Sequence, residues 1–199
     1  MIIDPTKLSV KENYKLLTGS ILPRPIAIVS TISEDGVCNI APFSFFTGIS
    51  SNPPTICFSP ARKAKGTLKK DTLMNIEETR EFVINMTTVP LLAAMSACAT
   101  DYPPEVDEFE VSGFTPIPSE RVAPPRIKES PINFECKLLQ VVPVGRKEAG
   151  GSFLVIGEVV MFHIADDIIE NYRINVEKLQ PLARLAGPYY CGLGDLISA

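Results

Sequence analysis

The sequence predicts a mainly β, antiparallel fold, a barrel or a sandwich with a few short helices, and three observations predict it. Apolar runs rich in β-branched residues recur along the 199 residues, and hairpin signals close several of them. Eighteen prolines and 12 glycines break the chain too often for long uninterrupted helices. Strands do not alternate with long helices, as a βαβ fold requires.

A polar opening contains a short helix candidate, Pro5 to Leu16. Pro23 and Pro25 then flank Arg24, which keeps its backbone extended and fixes where the guanidinium points. Ile26 to Ser33 reads as a strand, closed by the turn signal Glu34-Asp35-Gly36 and answered by Val37 to Ala41, the clearest hairpin in the chain. Phe43 to Ser50 and Thr55 to Ser59 are two further strands, divided by the breaker Asn52-Pro53-Pro54. From Lys70 the period changes: Leu73 and Ile76 share a helical face, and Asp71 or Thr72 is the N-cap candidate. Glu81 to Met86 returns to strand, and the composition of Val89 to Ala99 reads as a second short helix buried on most sides.

From Asp101 to Pro131 periodicity fails, with prolines at 103, 104, 116, 118, 124, 125 and 131. A loop of that length in a compact domain packs over a site or a partner subunit. Ile132 to Val144 and Ser152 to Ile164 then read as two long antiparallel strands joined by the Gly-rich loop Gly145 to Gly151. No repeat or linker divides the chain, so residues 1–199 read as one domain, large enough to bury roughly 70% of its unfolded surface without a metal or disulfide.

Composition narrows the partners. The formal charge is −4, with no basic run longer than Arg62-Lys63 or Lys69-Lys70, which disfavours nucleic acid and anionic membranes. No apolar segment reaches a membrane span, and the first residues lack a signal peptide's pattern, so the protein reads as cytoplasmic. Five cysteines are scattered, never as C-x-x-C, and the chain has one histidine; they read as buried thiols, not a zinc site.

Neither G-x-G-x-x-G after a strand nor G-x-x-x-x-G-K-[ST] is present, so a Rossmann or P-loop site is disfavoured. A serine hydrolase lacks its G-x-S-x-G elbow, and Asp166-Asp167 and Glu77-Glu78 are sequence neighbours that cannot face one another as glycosidase carboxylates do. Three features stay open. Arg62, Lys63, Lys65, Lys69 and Lys70 precede a helix start, where they either solvate a loop or hold a phosphate. Ser44-Phe45-Phe46-Thr47 is either an alternating core strand or a wall for an aromatic ligand. His163 is either a hydrogen-bonded, half-buried histidine or a functional one.

Six motifs in order carry a family resemblance: Arg24-Pro-Ile-Ala-Ile-Val-Ser-Thr31, Asn39-Ile-Ala-Pro-Phe-Ser-Phe-Phe46, Lys70-Asp-Thr-Leu-Met-Asn-Ile76, Glu81-Phe-Val-Ile-Asn85, Gly157-Glu-Val-Val160 with His163, and Pro181-Leu-Ala-Arg-Leu185. Together they resemble the flavin reductase-like, FMN-binding split-barrel family, in particular its flavoredoxin type. The resemblance implies a Greek-key split β-barrel that dimerises with FMN near the subunit interface. It places Ser44, Phe45, Phe46 and Thr47 along the isoalloxazine, and Arg62, Lys70 and Thr72 at the phosphate, with Asp71 shaping the turn. Asn85, His163 and Arg184 would lie around the ring or the nicotinamide, and His163 would orient nicotinamide or relay a proton. Lys63, Lys65 and Gly66-Thr67 offer competing phosphate contacts. The implied activity is oxidation of NADH or NADPH with electrons passed to free flavin or a redox partner protein. An electron-transfer flavoprotein reduced by a protein donor and a non-redox module for a planar ligand are the alternatives.

Overall fold

The structure is a computed structural model that describes residues 1–63, 69–100, 102–103 and 106–198. Seven strands form one antiparallel sheet: β1 (Ala27–Ile32), β2 (Cys38–Phe43), β3 (Phe46–Ser51), β4 (Pro54–Phe58), β5 (Glu81–Met86), β6 (Ile132–Val144) and β7 (Ser152–Ile164), in the order β2-β1-β5-β6-β7-β4-β3. The two edge strands of that order, β2 and β3, are consecutive in sequence. Only Ser44 and Phe45 separate them, and three Cα steps reach at most roughly 11 Å. The sheet must therefore roll until its edges meet, and the barrel stays split where no ladder joins β2 to β3.

Strand β1 is buried on both faces, and its alternation sorts two cores. Ala27 and Val29 point to a cluster with Phe43, Phe58, Phe82 and Phe153, closed by Leu73 and Ile76 of α2 (Asp71–Thr79). Ile26 and Ile28 point to a second cluster with Ile40, Met95, Phe109, Phe114 and Ile127. That second core is covered by α3 (Leu92–Ala97) and α4 (Glu108–Ser112). The long strands β6 and β7 follow the sequence expectation at both ends, and register shifts after Ile156 and Val159 bend them around the barrel.

Four expectations change. The helix expected from Pro5 divides into a 3-10 turn, Pro5–Lys7, and a helix α1, Val10–Ser20, because Ser9 and Glu12 form a capping box that starts the helix afresh. The N-cap of α2 is neither Asp71 nor Thr72 but Lys70, whose backbone is extended; the Asp71 carboxylate pairs with Lys63 at 2.9 Å instead of capping. Val89 to Ala99 is a 3-10 turn followed by α3, and it buries only Met95 and Cys98, so its apolar composition does not describe its exposure. The proline-rich stretch contains α4, capped by Asp107 and ended by Gly113 at φ 76°, and a short pairing of Pro116–Ile117 with Arg126–Ile127.

Candidate functional site

A cleft of about 230 Å³ opens at the seam of the barrel. Ser44, Phe45 and Ser59 supply its barrel wall, Lys63, Lys70, Asp71 and Thr72 its basic end, and Tyr14, Tyr102 and Glu108 lean in from α1 and the 101–131 excursion. The barrel wall is anchored from behind: Arg24, 4% exposed, donates to the carbonyls of Thr18, Ile21 and Leu185 at 2.7, 2.8 and 3.0 Å and reaches Ser44 Oγ at 3.4 Å. Its guanidinium lies 6.0 Å from the Phe45 ring centre. Proline on either side of Arg24 thus fixes a residue that ties α1, the tail and the seam together.

At the basic end, the first turn of α2 leaves backbone N–H groups without intrahelical partners and presents the positive end of the helix dipole. Thr72 is 1% exposed and its hydroxyl donates to Asn39 Oδ1 at 2.7 Å, which leaves that oxygen only acceptor capacity. Any phosphate contact from Thr72 therefore uses its backbone N–H. Asn39 Nδ2 donates in turn to Glu108 Oε2 at 2.8 Å, and the same oxygen accepts from Ile40 N at 2.7 Å. This chain, Thr72 to Asn39 to Glu108, fixes the helix start against β2 and α4.

The structure brings Ser44, Phe45, Lys70, Asp71 and Thr72 into one cleft. It sets the other expected residues elsewhere. Phe46 packs against the first core, and Thr47 lies exposed on the edge strand with its hydroxyl 3.3 Å from Gly48 O. Arg62 turns to the other side of the chain, its guanidinium 4.0 Å over the Phe153 ring and its buried Nε without a partner among the described residues. Lys65, Gly66 and Thr67 lie outside the described residues.

Asn85 is fully buried and fully used. Its Nδ2 donates to Ile28 O at 3.0 Å and Ser30 Oγ at 3.1 Å, and its Oδ1 accepts from Ile127 N and Asn133 Nδ2, both at 2.9 Å. No capacity remains for a ligand. His163 Nε2 sits 2.5 Å from Oε1 of the buried Glu135, which also accepts from the backbone N–H of Glu120 and Arg121 at 2.8 and 2.6 Å. Burial pushes the Glu135 carboxyl up, but the Glu120 N–H, His163 and the Arg121 N–H outweigh it and hold the group below the usual range. Val155 pairs with Phe58 beside the cleft, and His163 lies eight residues (163 − 155) further along β7, at most roughly 26 Å away along the strand, and it is not among the residues that line the cleft. Arg184 lines a cavity that adjoins the cleft.

The sequence does not single out Glu108 or Tyr14 as site residues, and it offers Lys63 as one of several cations competing for the phosphate. The signal for Glu108 was an Asp-Glu pair at a helix start, hidden among prolines. Cys98 also lines the cleft, and burial pushes its thiol up to about 11, opposed by a hydrogen bond from Ser112, so it is no nucleophile. Among the described residues no group of His, Cys, Asp and Glu could hold a metal.

The chain belongs to the flavin reductase-like family: the model of the flavin reductase like domain matches residues 18–183. Among solved structures it is similar to nitrilotriacetate monooxygenase component B from Bacillus cereus, 42% identical with a TM-score of 0.95, covering 100% of this chain and 98% of that one. It is also similar to the 2-nitrobenzoate 2-nitroreductase NbaA of Pseudomonas fluorescens, 33% identical, TM-score 0.88, over 100% and 95% of the two chains. Flavoredoxin of Desulfovibrio vulgaris shares the fold at 24% identity and TM-score 0.74, over 90% and 91%. The antiparallel split barrel is the family's architecture.

The cleft's donor set fits the phosphate and ring edge of a flavin nucleotide. Two lysines and a helix start suit a phosphate dianion, while Phe45 and Tyr14 offer apolar faces and Ser44 and Ser59 offer hydroxyls within the same cavity.

Proposed function

We propose that the chain is an FMN-binding oxidoreductase that takes electrons from NADH or NADPH and passes them to free flavin or to a redox partner protein. The observation that carries this reading is the joining of Lys63, Lys70 and the α2 start to Ser44 and Phe45 in one cleft at the barrel seam. A flavin bound there supplies the hydride-accepting and electron-releasing chemistry. The chain's own residues bind and orient. Lys63 and Lys70 with the first N–H groups of α2 hold the phosphate, and Lys63 exchanges its Asp71 partner for it. The Arg24-anchored wall at Ser44 and Phe45 positions the ring, and Thr72 is held in place through Asn39 and Glu108.

The working form is a homodimer in the cytoplasm. Two copies account for the exposed apolar side chains Leu17, Ile21 and Leu22 around α1, Ile49 on the open edge strand and Phe162 beside His163. His163 is far from the cleft of its own chain, so it orients nicotinamide only if dimerisation brings its face to the cleft of a second copy. Arg184 stands on the nicotinamide side of the ring.

The test is the visible spectrum of the purified protein supplied with FMN, before and after anaerobic NADH and NADPH. Bleaching of the visible flavin absorption by either nucleotide is the expected result. Reduction only by a protein donor assigns the chain to electron transfer, and failure to bind FMN overturns the reading.

A further inference from the structure

Strand β2 is an edge of the main sheet, at the split of the barrel, so its outward backbone groups have no ladder partner there. A side chain from another element takes up that edge. Glu108, 6% exposed at the start of α4, accepts through Oε2 from Ile40 N at 2.7 Å and from Asn39 Nδ2 at 2.8 Å. An ionised carboxylate only accepts, so the Asn39 amide has one orientation open to it, with Nδ2 toward Glu108 and Oδ1 away from it. That oxygen accepts from Thr72 Oγ1 at 2.7 Å and, more weakly, from Thr31 Oγ1 at 3.5 Å, which in turn accepts from Asn75 Nδ2 at 3.1 Å. Thr72 and Asn75 both stand on α2, so Asn39 grips the beginning of that helix directly and through Thr31.

The helix needs that grip. Its N-cap, Lys70, makes no side-chain capping bond. A Ser, Asp or Asn cap would hold the first turn in place, but it would occupy the N–H of the second or third helical residue in doing so. Here the first turn is held from the side, through the Thr72 hydroxyl, without drawing on its leading N–H groups, and Lys63 and Lys70 line the cleft beside it. Glu108 belongs to the 101–131 excursion and not to the barrel, so the basic end of the cleft takes its shape from how that excursion is docked.

We propose that Glu108 is a positioning residue for the phosphate end of the cleft: through Asn39 and Thr72 it holds the uncapped start of α2 where its N–H groups receive the ligand's phosphate, and docking of the excursion thereby sets the preference for a phosphorylated flavin. The inference rests on the flavin reading above and adds to it a residue that acts through two others. Coupling of this kind is reciprocal, so a phosphate on α2 also tightens Glu108 on β2.

FMN and riboflavin are titrated into the full chain, followed by quenching of flavin fluorescence. Glu108→Ala weakens FMN about tenfold more than riboflavin. Glu108→Gln, which keeps an acceptor oxygen for Ile40 and Asn39 but no charge, holds the preference within about threefold of wild type. Asn39→Ala matches Glu108→Ala, and the double variant loses no more than either alone, because both break one chain. In the unaltered protein, hydrogen exchange of the Ile40 amide slows several-fold more under saturating FMN than under saturating riboflavin, a readout that needs no variant to fold. Equal weakening of both flavins by Glu108→Ala, an Ile40 amide indifferent to the phosphate, a Glu108→Gln variant no better than Glu108→Ala, or additive losses in the double variant each overturns the proposal. Equal affinity of wild type for the two flavins removes the phosphate reading and the proposal with it, whereas a wild-type preference that survives Glu108→Ala overturns the role of Glu108 alone.

Discussion

Asn39 and Asn85 are both strand asparagines, yet one lines the cleft and the other lies in the interior. Asn39 bridges Thr72 and Glu108 in a chain that ends at the cavity wall. Asn85 bridges Ile28, Ser30, Ile127 and Asn133 in a network that ends on itself. Residue type does not separate the two; the capacity left over does. A saturated polar group holds a fold together, whereas a group beside unspent donors can hold a ligand. The same contrast separates Glu135, whose carboxylate is spent on His163 and two backbone N–H groups, from Lys63, whose ion pair with Asp71 opens onto the cleft.

The comparison breaks most readily at Asn85. Truncation to Ala orphans the Ile127 N–H and the Ile28 carbonyl, at about 1–3 kcal/mol each. Asn85→Ala should therefore cost about 3 kcal/mol and lower Tm by roughly 6–12 °C for a domain of this size. FMN affinity of the folded variant should stay within about threefold of wild type. A variant with unchanged Tm and weakened FMN would move Asn85 from the interior network to the ring.

His163→Ala sharpens the contrast on the opposite face. If His163 orients nicotinamide across a dimer, reduction of bound FMN by NADH or NADPH should slow by about tenfold or more, with FMN affinity unchanged. An unchanged rate returns His163 to its partnership with Glu135 alone.

Glu135 itself makes a smaller, pH-dependent prediction. Its carboxyl is held below the ordinary glutamate value of 4.5 in the folded protein. Its contribution is therefore fully present above that value and is lost as pH falls through the lower, folded one. Glu135→Gln should be less stable than wild type at pH 7, and the gap in urea midpoint should narrow below pH 4.5. A gap that widens in acid contradicts the assignment.

Much of the barrel was legible in the sequence. Ile132–Val144 and Ser152–Ile164 fall where their β-branched runs and turn residues put them, because long strands carry their own periodicity. The resemblance also put Ser44, Phe45, Lys70, Asp71 and Thr72 in one place. What the sequence hid were outcomes of tertiary competition. Asp71 is a good cap by type, but Lys63 takes its carboxylate. Arg62 and Lys63 are adjacent cations, yet Phe153 draws the first away while the second lines the cleft. Glu108 was lost among prolines that mask helix periodicity, although it fastens Asn39 and the β2 backbone.

The central claim, that the cleft at the seam anchors a flavin through its phosphate, is tested most directly by comparing FMN with riboflavin, which lacks that phosphate, in wild type and in Lys63→Ala/Lys70→Ala. Wild type should bind FMN at least about tenfold more tightly than riboflavin, since each charged contact contributes about 1.5–3 kcal/mol. The double variant should lose most of that difference while keeping its riboflavin affinity. Equal affinities for the two flavins in wild type, or a preference untouched by the double substitution, would contradict the account.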